Sequence, residues 1–185
     1  MISVKNLKKR CDDNVVFDGF SLELPDRGAF ALTGPSGSGK TTLLRVICGL
    51  DRDYGGEVEC GGAVSYVFQE NRLFPTLSAY GNVFEVCRDK EKALSLLSSV
   101  GLGGDTDKYP AQMSGGMARR VAIARALAFP HDILLLDEPF TALDGQIKAE
   151  VIELIKRLEA DKLILAVSHD PDEVAALGCR EIRIK

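Results

Sequence analysis

The sequence has 185 residues, a formal net charge of −4 at pH 7 and a hydrophobic fraction of 45%. This length allows one domain with a sizeable core, and the acidic balance argues against a nucleic-acid-binding surface. No apolar run approaches the roughly 18 residues that a membrane-spanning helix needs, and the N-terminal segment lacks the apolar core of a signal peptide. The five cysteines are scattered without a C-x-x-C pair, so we expect reduced thiols that mostly fill the core.

The first segment with a chemical signature is 34–41, which fits the P-loop pattern G-x-x-x-x-G-K-[ST]. The apolar run 29–32 predicts a short buried strand before it, and 42–48 predicts a helix after it. In this context glycines let backbone N–H groups point at phosphate oxygens, and the helix N-terminus adds partial positive charge. We expect Lys40 to reach the β- and γ-phosphates of a nucleotide and the Thr41 hydroxyl to ligate Mg²⁺. The predicted nucleotide-binding residues are Gly34, Pro35, Ser36, Gly37, Ser38, Gly39, Lys40, Thr41 and Thr42.

Strand and helix signals alternate along the rest of the chain. In order, the pattern predicts a strand at 64–68, helices at 79–87, 91–100 and 117–129, a buried strand at 133–136, a helix at 146–160 and a second buried strand at 163–167. The helix at 146–160 should bury one face, formed by Ile147, Val151, Leu154, Ile155 and Leu158. The alternation predicts an α/β fold with a largely parallel sheet and helices on both faces.

An acidic pair, Asp137 and Glu138, directly follows the buried strand at 133–136. Ligands of open α/β sheets bind beyond the carboxyl ends of the strands, and the P-loop also follows a strand. If the two strand ends lie side by side, Asp137 comes near the Mg²⁺ held by Thr41, a normal pairing of a carboxylate with a hard cation. Glu138 could then polarise the water that attacks the γ-phosphate. The alternative is a surface acidic turn that caps the next segment.

Ser114-Gly115-Gly116 has two interpretations on local grounds. A serine before two glycines is a good N-cap for the helix that follows. The same residues also offer flexible backbone, a hydroxyl and a helix N-terminus, which together suit an anion. A single nucleotide site does not need a second anion-binding segment so far from the P-loop. The two interpretations of this motif therefore stay open at this point.

Six short motifs follow one another along the chain: the P-loop, Gln69, Ser114-Gly115-Gly116-Met117, Asp137-Glu138-Pro139, Ala142-Leu143-Asp144 and Ser168-His169-Asp170. Their order resembles that of the ABC-type ATPases, the nucleotide-binding subunits of ABC transporters. They match the family's P-loop, Q-loop, signature, Walker B, D-loop and H-loop, and they span nearly the whole chain. The particular residues found at the Q-loop (67–70), the signature (112–117) and the Walker B and D-loop segment (138–144) look most like those of bacterial importer ATPases. The resemblance is greatest to the nitrate/sulfonate/taurine group.

The resemblance implies a P-loop NTPase fold of the ABC ATPase type. Such a fold has a largely parallel sheet core, a small antiparallel β part and a short helical subdomain. Residues 1–185 would form a single ATPase domain, with a RecA-like core at about 1–70 and 113–185 and an abbreviated helical subdomain at about 71–112. The implied ligands are ATP and Mg²⁺. The implied place is the cytoplasmic side of the cell membrane, where the chain would bind as a peripheral subunit.

The resemblance also assigns roles to single residues. Two subunits would stack head to tail around two ATP molecules, each contacting the P-loop of one chain and the signature of the other. The signature residues that would bind ATP in trans are Ser114, Gly115, Gly116 and Met117. The implied catalytic residues are Glu138, His169 and Gln69, and the implied Mg²⁺ ligands are Thr41, Gln69 and Asp137. Asp144 would cross the dimer interface.

The implied partners are a second copy or a similar subunit, transmembrane permease subunits and, for an importer, a solute-binding protein. The permease would dock just after the Q-loop, where Leu73, Phe74, Pro75 and Tyr80 provide large apolar groups. The alternative for these residues is packing within the helical subdomain. Gln69 would sense the permease while it lies beside Mg²⁺ and the attacking water.

Several positions depart from the family pattern. Cys11 stands where an aromatic residue that stacks on adenine is common, which predicts modest ATP affinity and loose base selectivity. Met113 and Met117 replace the usual Leu and Gln of the signature. The segments 51–63 and 71–112 and the end of the chain look short for the family. The residues named for hydrolysis are nevertheless present, so we expect an active enzyme.

Other function classes remain as alternatives. A soluble ABC ATPase that acts on nucleic acid or ribosomes usually has two ATPase domains or long coiled-coil insertions, and this chain shows neither pattern. A P-loop kinase would need a second-substrate pocket and would not need Ser114-Gly115-Gly116. A degenerate subunit with weak turnover is the third alternative. The solute and the direction of transport are not encoded in this chain, because other subunits contact the solute.

Overall fold

The computed structural model describes residues 1–12 and 14–184, and their strands form two sheets. The strands are β1 (Ile2–Cys11), β2 (Asn14–Leu24), β3 (Gly28–Thr33), β4 (Gly55–Cys60), β5 (Val64–Val67), β6 (Ile133–Asp137), β7 (Leu163–Val167) and β8 (Arg180–Arg183). The helices are α1 (Lys40–Ile47), α2 (Ala79–Cys87), α3 (Lys90–Ser99), α4 (Gly115–Ala128), α5 (Gly145–Leu158) and α6 (Pro171–Leu177), with a 3-10 turn at Pro110–Gln112.

The larger sheet has five strands in the order β5-β6-β7-β3-β8, and every neighbouring pair is parallel. Each residue of β6 and β7 is buried, as expected for interior strands covered on both faces. The smaller sheet, β2-β1-β4, is antiparallel. The predicted fold class, a largely parallel sheet with a small antiparallel part and helices, is confirmed.

Two hydrophobic cores lie on opposite faces of the parallel sheet. Ile133 and Leu135 face a core shared with α1 and the antiparallel sheet. Leu134 and Leu136 face a core shared with α2, α3, α4 and α5. The alternation of the β6 side chains therefore divides the molecule into layers, with the sheet in the middle.

Most predicted elements agree with the structure to within a few residues, but three details differ. Helix α4 begins at Gly115, because the Ser114 side chain caps it there. Leu158 was expected on the buried face of α5, yet it is 42% exposed, and Ile152 is buried. The chain leaves the helix at Glu159, whose buried carboxylate pairs with His131 Nε2 at 3.0 Å. These two side chains are buried, whereas Leu158 is not.

All five cysteines, which lie in the described part, are free thiols. Cys11 is exposed, whereas Cys48, Cys60, Cys87 and Cys179 are partly buried and pack against the two cores, so four of the five agree with the prediction. Within residues 1–12 and 14–184, no helix has the length and apolar character required to cross a bilayer.

Candidate functional site

An open pocket of about 390 Å³ brings half of the predicted site residues together. The P-loop, Gln69, Glu138 and His169 line it, although they come from four separate parts of the chain. Its remaining wall consists of Cys11, Asn14, Val16 and Val167. The pocket lies beyond the carboxyl ends of β3, β6 and β7, where ligands of parallel sheets bind.

Two glycines shape the phosphate loop between β3 and α1. Gly34 has φ 145° and Gly39 has φ 90°, which are conformations that other residues rarely adopt. A side chain at Gly34 would collide with the Ile184 carbonyl, and one at Gly39 would collide with Val16. Any larger residue at these positions would therefore strain the loop and push apart the elements that hold it.

The Lys40 side chain folds back onto the first residues of the P-loop. It is buried, and Nζ donates to the carbonyls of Gly34 at 2.9 Å and Pro35 at 2.7 Å. Helix α1 begins at Lys40 without a side-chain cap, and the first N–H groups of a helix have no intrahelical partner. An ammonium group beside an uncapped helix N-terminus suits an anion such as a phosphate.

The Asp137 carboxylate lies next to the P-loop helix. Thr41 Oγ1 donates to Asp137 Oδ1 at 3.0 Å, and the Tyr66 hydroxyl donates to Asp137 Oδ2 at 3.1 Å. Burial raises the pKa of Asp137, while these two hydrogen bonds act to lower it. Burial and the nearby Asp137 charge also raise the pKa of Tyr66, which keeps its phenol protonated as a donor.

This pairing does not arise in the way that the sequence suggested. Strands β3 and β6 are not neighbours, because β7 lies between them. Asp137 reaches Thr41 because Thr41 lies in the first turn of α1, and α1 packs across the sheet against β6. The expectation of adjacent strand ends is therefore wrong, although the predicted approach of the two side chains is correct.

The oxygen donors around Thr41 and Asp137 fit Mg²⁺. They are hard ligands, and Mg²⁺ is usually bound by one or two carboxylates together with phosphate and water oxygens. Throughout the part of the chain that the structure describes, no group of three or more acidic, His or Cys side chains could hold a metal alone.

Glu138 and His169 form a second pair at the pocket. His169 Nε2 lies 3.3 Å from Glu138 Oε1, and both side chains remain partly exposed. Glu138 has φ 47°, a left-handed conformation that is uncommon for this residue type. Its N–H donates to the Val167 carbonyl at 3.0 Å, which ties the turn to the end of β7. Strained backbone of this kind concentrates at functional sites.

A polar network fixes the turn that carries His169. Ser168 Oγ donates to the buried carboxylate of Glu173 at 2.6 Å, and Lys148 Nζ binds the other oxygen of that carboxylate at 2.8 Å. Lys148 also pairs with Asp170 at 3.4 Å, and the hydrogen bond to Glu173 is the main reason that the pKa of Lys148 is raised. His169 is therefore held between α5 and α6 rather than on a free loop.

The signature residues and Asp144 do not line the pocket. Ser114 is exposed, and its Oγ accepts from the Met117 N–H at 3.2 Å, so it caps α4 in the single chain. Asp144 precedes α5, is exposed and makes no capping hydrogen bond through its side chain. A Cβ on Gly116 would lie 2.8 Å from the Ala142 carbonyl, so the signature packs closely against the D-loop.

Two functional neighbours were missed from the sequence, Tyr66 and Arg119. Tyr66 supplies the second hydroxyl on Asp137. The signal available for it was a hydroxyl group in the strand just before Gln69, where Ser65 carries another. Arg119 is buried in α4 and donates to the carbonyls that follow β5 and β6. An arginine within a helix gives no local indication of such contacts.

Known proteins resemble the chain over most of its length. The family described as ABC transporter matches residues 17–141, more than half of the chain. The aliphatic sulfonates import ATP-binding protein SsuB 3 of Paraburkholderia xenovorans is 41% identical over 184 residues, covering 97% of this chain and 74% of that protein. The molybdenum import ATP-binding protein ModC of Thiobacillus denitrificans is 48% identical over 180 residues, covering 85% of this chain and 50% of that protein.

Solved structures agree with the sequence relatives. A dimeric ATP-binding cassette bound to ADP and phosphate in a post-hydrolysis state superposes with a TM-score of 0.90 at 31% identity. The match covers 100% of this chain and 94% of that chain. The fold and the pocket define a P-loop nucleotide-binding cassette. The chain belongs to the ABC transporter family, which confirms the family predicted from the six motifs.

Proposed function

We propose that this chain is the ATP-hydrolysing subunit of an ABC transporter, most similar to the ATP-binding subunits of bacterial importers. The observation that carries the proposal is one pocket lined by the P-loop, Gln69 and the Glu138–His169 pair, with Asp137 hydrogen-bonded to the pocket residue Thr41. The relatives named above are import ATP-binding proteins, which favours transport over a soluble role. By analogy, the chain would associate with the membrane through a permease and receive solute from a binding protein.

In the proposed mechanism, Lys40 exchanges its bonds to the loop carbonyls for bonds to the β- and γ-phosphates of ATP. Thr41, Asp137 and Gln69 would hold Mg²⁺, which would neutralise the charge that develops on the phosphates. Glu138 accepts a hydrogen bond from the attacking water and orients it. His169 steadies the Glu138 carboxylate, from 3.3 Å in this structure, and contacts the γ-phosphate.

The exposed signature is the basis for a proposed head-to-tail dimer. Ser114, Gly115, Gly116 and Met117 would complete the ATP site of a second copy, and Asp144 would cross the interface. Both Ser114 and Asp144 are exposed and lie outside their own chain's pocket. The Ser114 hydroxyl can cap α4 and still accept or donate a further hydrogen bond, because a hydroxyl has one donor and two acceptor sites. The two interpretations of this motif are therefore compatible.

We place the permease contact in an apolar groove of about 330 Å³. It lies where the proposed core (about 1–70 and 113–185) meets the proposed helical subdomain (about 71–112). Leu50, Phe68, Val86, Arg125 and Phe129 are among its lining residues. Phe74, which precedes α2 and does not line this groove, is 45% exposed, whereas Leu73 and Tyr80 pack against the core. A short amphipathic helix of the permease would suit such a groove.

The test is ATP turnover by Glu138→Gln, which keeps the side-chain shape and removes the negative charge. Loss of a general base typically lowers the rate about 10²–10⁴-fold, so turnover should nearly vanish while ATP binding persists. Glu57→Gln, at an exposed position of β4 in the other sheet, is the matched control and should hydrolyse at the wild-type rate. Wild-type turnover by Glu138→Gln would defeat the assignment of Glu138.

A further inference from the structure

We infer that Arg119 is a positioning residue for hydrolysis. It holds Gln69 and Glu138 in fixed positions relative to α4, the helix that begins at the signature. Its side chain is buried, with 2% exposure. The guanidinium donates to the carbonyls of Pro139 at 2.7 Å, Asp137 at 3.0 Å and Gln69 at 3.2 Å. It also donates to the carbonyls of Phe68 and Glu138.

The setting of this cation is unusual for a buried charge. Within residues 1–12 and 14–184, its hydrogen bonds go to backbone carbonyls and the Asn71 amide oxygen, not to a carboxylate. Burial lowers the pKa of Arg119, and the negative charges of Asp137 and Glu138 oppose that shift. Because a buried charge is costly unless it is fully satisfied, the site needs the complete set of carbonyls in place.

Those carbonyls belong to the two turns that carry the reactive side chains. Three of them are consecutive, at Asp137, Glu138 and Pro139, and they enclose the left-handed Glu138 with its φ of 47°. Such a conformation persists only where the surroundings over-determine it. The guanidinium fork, with its five fixed donors, binds the peptide groups on both sides of Glu138 and so sets the direction of its carboxylate.

The same side chain links these turns to the signature. Arg119 lies five residues after Ser114, in the first turns of α4. On the proposed function, the N-terminus of α4 serves the ATP site of the partner, whereas Gln69 and Glu138 serve the chain's own site. A displacement of α4 on dimer closure would therefore move the carbonyls that orient Gln69 and Glu138. Arg119 would in this way connect the two ATP sites of a dimer.

The test compares Arg119→Met with Arg119→Lys and with the control Arg120→Met. Met fills a similar volume without donors. Lys keeps the charge but offers a compact group that cannot bridge two turns as a fork does. Arg120, the next residue, binds the carbonyls of Val100 and Gly101 and, at 3.4 Å, the carbonyl of Gly116 in its own helix; none of these residues lines the pocket. Each variant is measured for kcat, KM and ATP affinity, and its thermal transition is recorded.

Arg119→Met should lower kcat about 10²-fold, the scale expected from misplacing a reacting group by about 1 Å. KM and ATP affinity should stay within about twofold, because the P-loop is untouched and binding and orientation are separable. Arg119→Lys should recover part of kcat, and Arg120→Met should hydrolyse like the wild type. If Arg119→Met does not fold, Arg119→Lys decides: reduced kcat at unchanged ATP affinity supports the inference.

Several results would overturn it. One is a kcat for Arg119→Met equal to that of Arg120→Met. Another is a parallel loss of ATP affinity and kcat in Arg119→Met, which would indicate a merely structural role. If Arg119→Met does not fold, a wild-type kcat for Arg119→Lys is the third. Failure of the proposed function is distinguishable, since the wild-type protein itself would then show no ATP turnover in the same assay.

Discussion

At the scale of single residues, Lys40 holds the P-loop together with bonds that phosphate oxygens would replace. Nζ is satisfied by the Gly34 and Pro35 carbonyls and lies 3.4 Å from Ser38 Oγ. The exchange of carbonyl for phosphate partners requires a compact group with freely directed donors. An ammonium group meets this requirement, and a planar guanidinium does not.

We therefore predict that Lys40→Ala weakens ATP binding about 10–100-fold, since a hydrogen bond to a charged group is worth about 1.5–3 kcal/mol. Turnover should be lost in Lys40→Ala and also in Lys40→Arg. Calorimetric titration with ATP measures the affinity. Lys5→Ala, at an exposed position of β1, is the control and should bind as the wild type does. Unchanged affinity in Lys40→Ala would refute the role of Lys40.

Cys11 is a second position where one residue decides a property of the pocket. It is exposed and lines the wall of the nucleotide site together with Val16. An aromatic ring that stacks on a base is worth about 1–3 kcal/mol, so Cys11→Tyr should tighten ATP binding roughly 5–150-fold. It should also increase the preference for purine over pyrimidine triphosphates. Cys11→Ser provides the control, and equal affinities for the Tyr and Ser variants would contradict the prediction.

At the scale of elements, α4 organises the segments around it. Arg119 binds the turns after β5 and β6, Arg120 binds the carbonyls that follow α3, and Arg125 binds the carbonyls of Asn71 and Arg72. Asn82 of α2 completes this arrangement. It is fully buried and binds the backbone of Phe74, Leu77 and Ser78. The segment after the Q-loop is therefore fixed by polar side chains of two helices.

Asn82→Ala should lower the free energy of unfolding by about 1–3 kcal/mol, because it leaves buried backbone groups of that segment unsatisfied. Urea denaturation followed by circular dichroism measures the change. Thr76→Ala, at an exposed position in the same segment, should change stability by less than about 0.5 kcal/mol. A loss in Asn82→Ala no greater than in Thr76→Ala would show that the Asn82 hydrogen bonds do not stabilise the fold.

At the scale of the whole molecule, the chain carries one P-loop pocket and one exposed signature. A second copy in head-to-tail orientation would make two complete sites, and ATP would bridge the facing surfaces. We predict that the chain alone is mostly monomeric, with the 20.0 kDa mass of one chain. ATP with Mg²⁺ should double that mass in the Glu138→Gln background, where hydrolysis no longer separates the partners. Light scattering with and without ATP measures it, and an unchanged mass would reject the head-to-tail assembly.

A mixture of two variants tests whether the contact is made in trans. Ser114→Arg places a bulky cation where a small donor is needed, so it should block closure and leave ATP binding by the monomer nearly intact. Lys40→Ala removes the other half of the site. In the mixed dimer one site carries both lesions and the other carries neither, so one intact site forms. ATP should therefore drive the two variants together more strongly than either variant alone, again in the Glu138→Gln background.

The sequence by itself determined the features that depend on residues close together in the chain. The P-loop pattern, the bounds of α2 at Ala79–Cys87 and the buried runs of β6 and β7 follow from spacing, periodicity and turn chemistry within a few residues. The position of Glu138 after a buried strand was readable for the same reason. Only the tertiary structure decided the order of the strands, with β7 between β3 and β6.

It also decided that Tyr66 and Arg119 contact the site and that Glu159 is buried whereas Leu158 is not. These facts depend on contacts between residues far apart in the chain. Such contacts cannot be seen in the hydrophobic periodicity of a helix or a strand. The periodicity shows only which face of an element is apolar, and not which residues pack against that face.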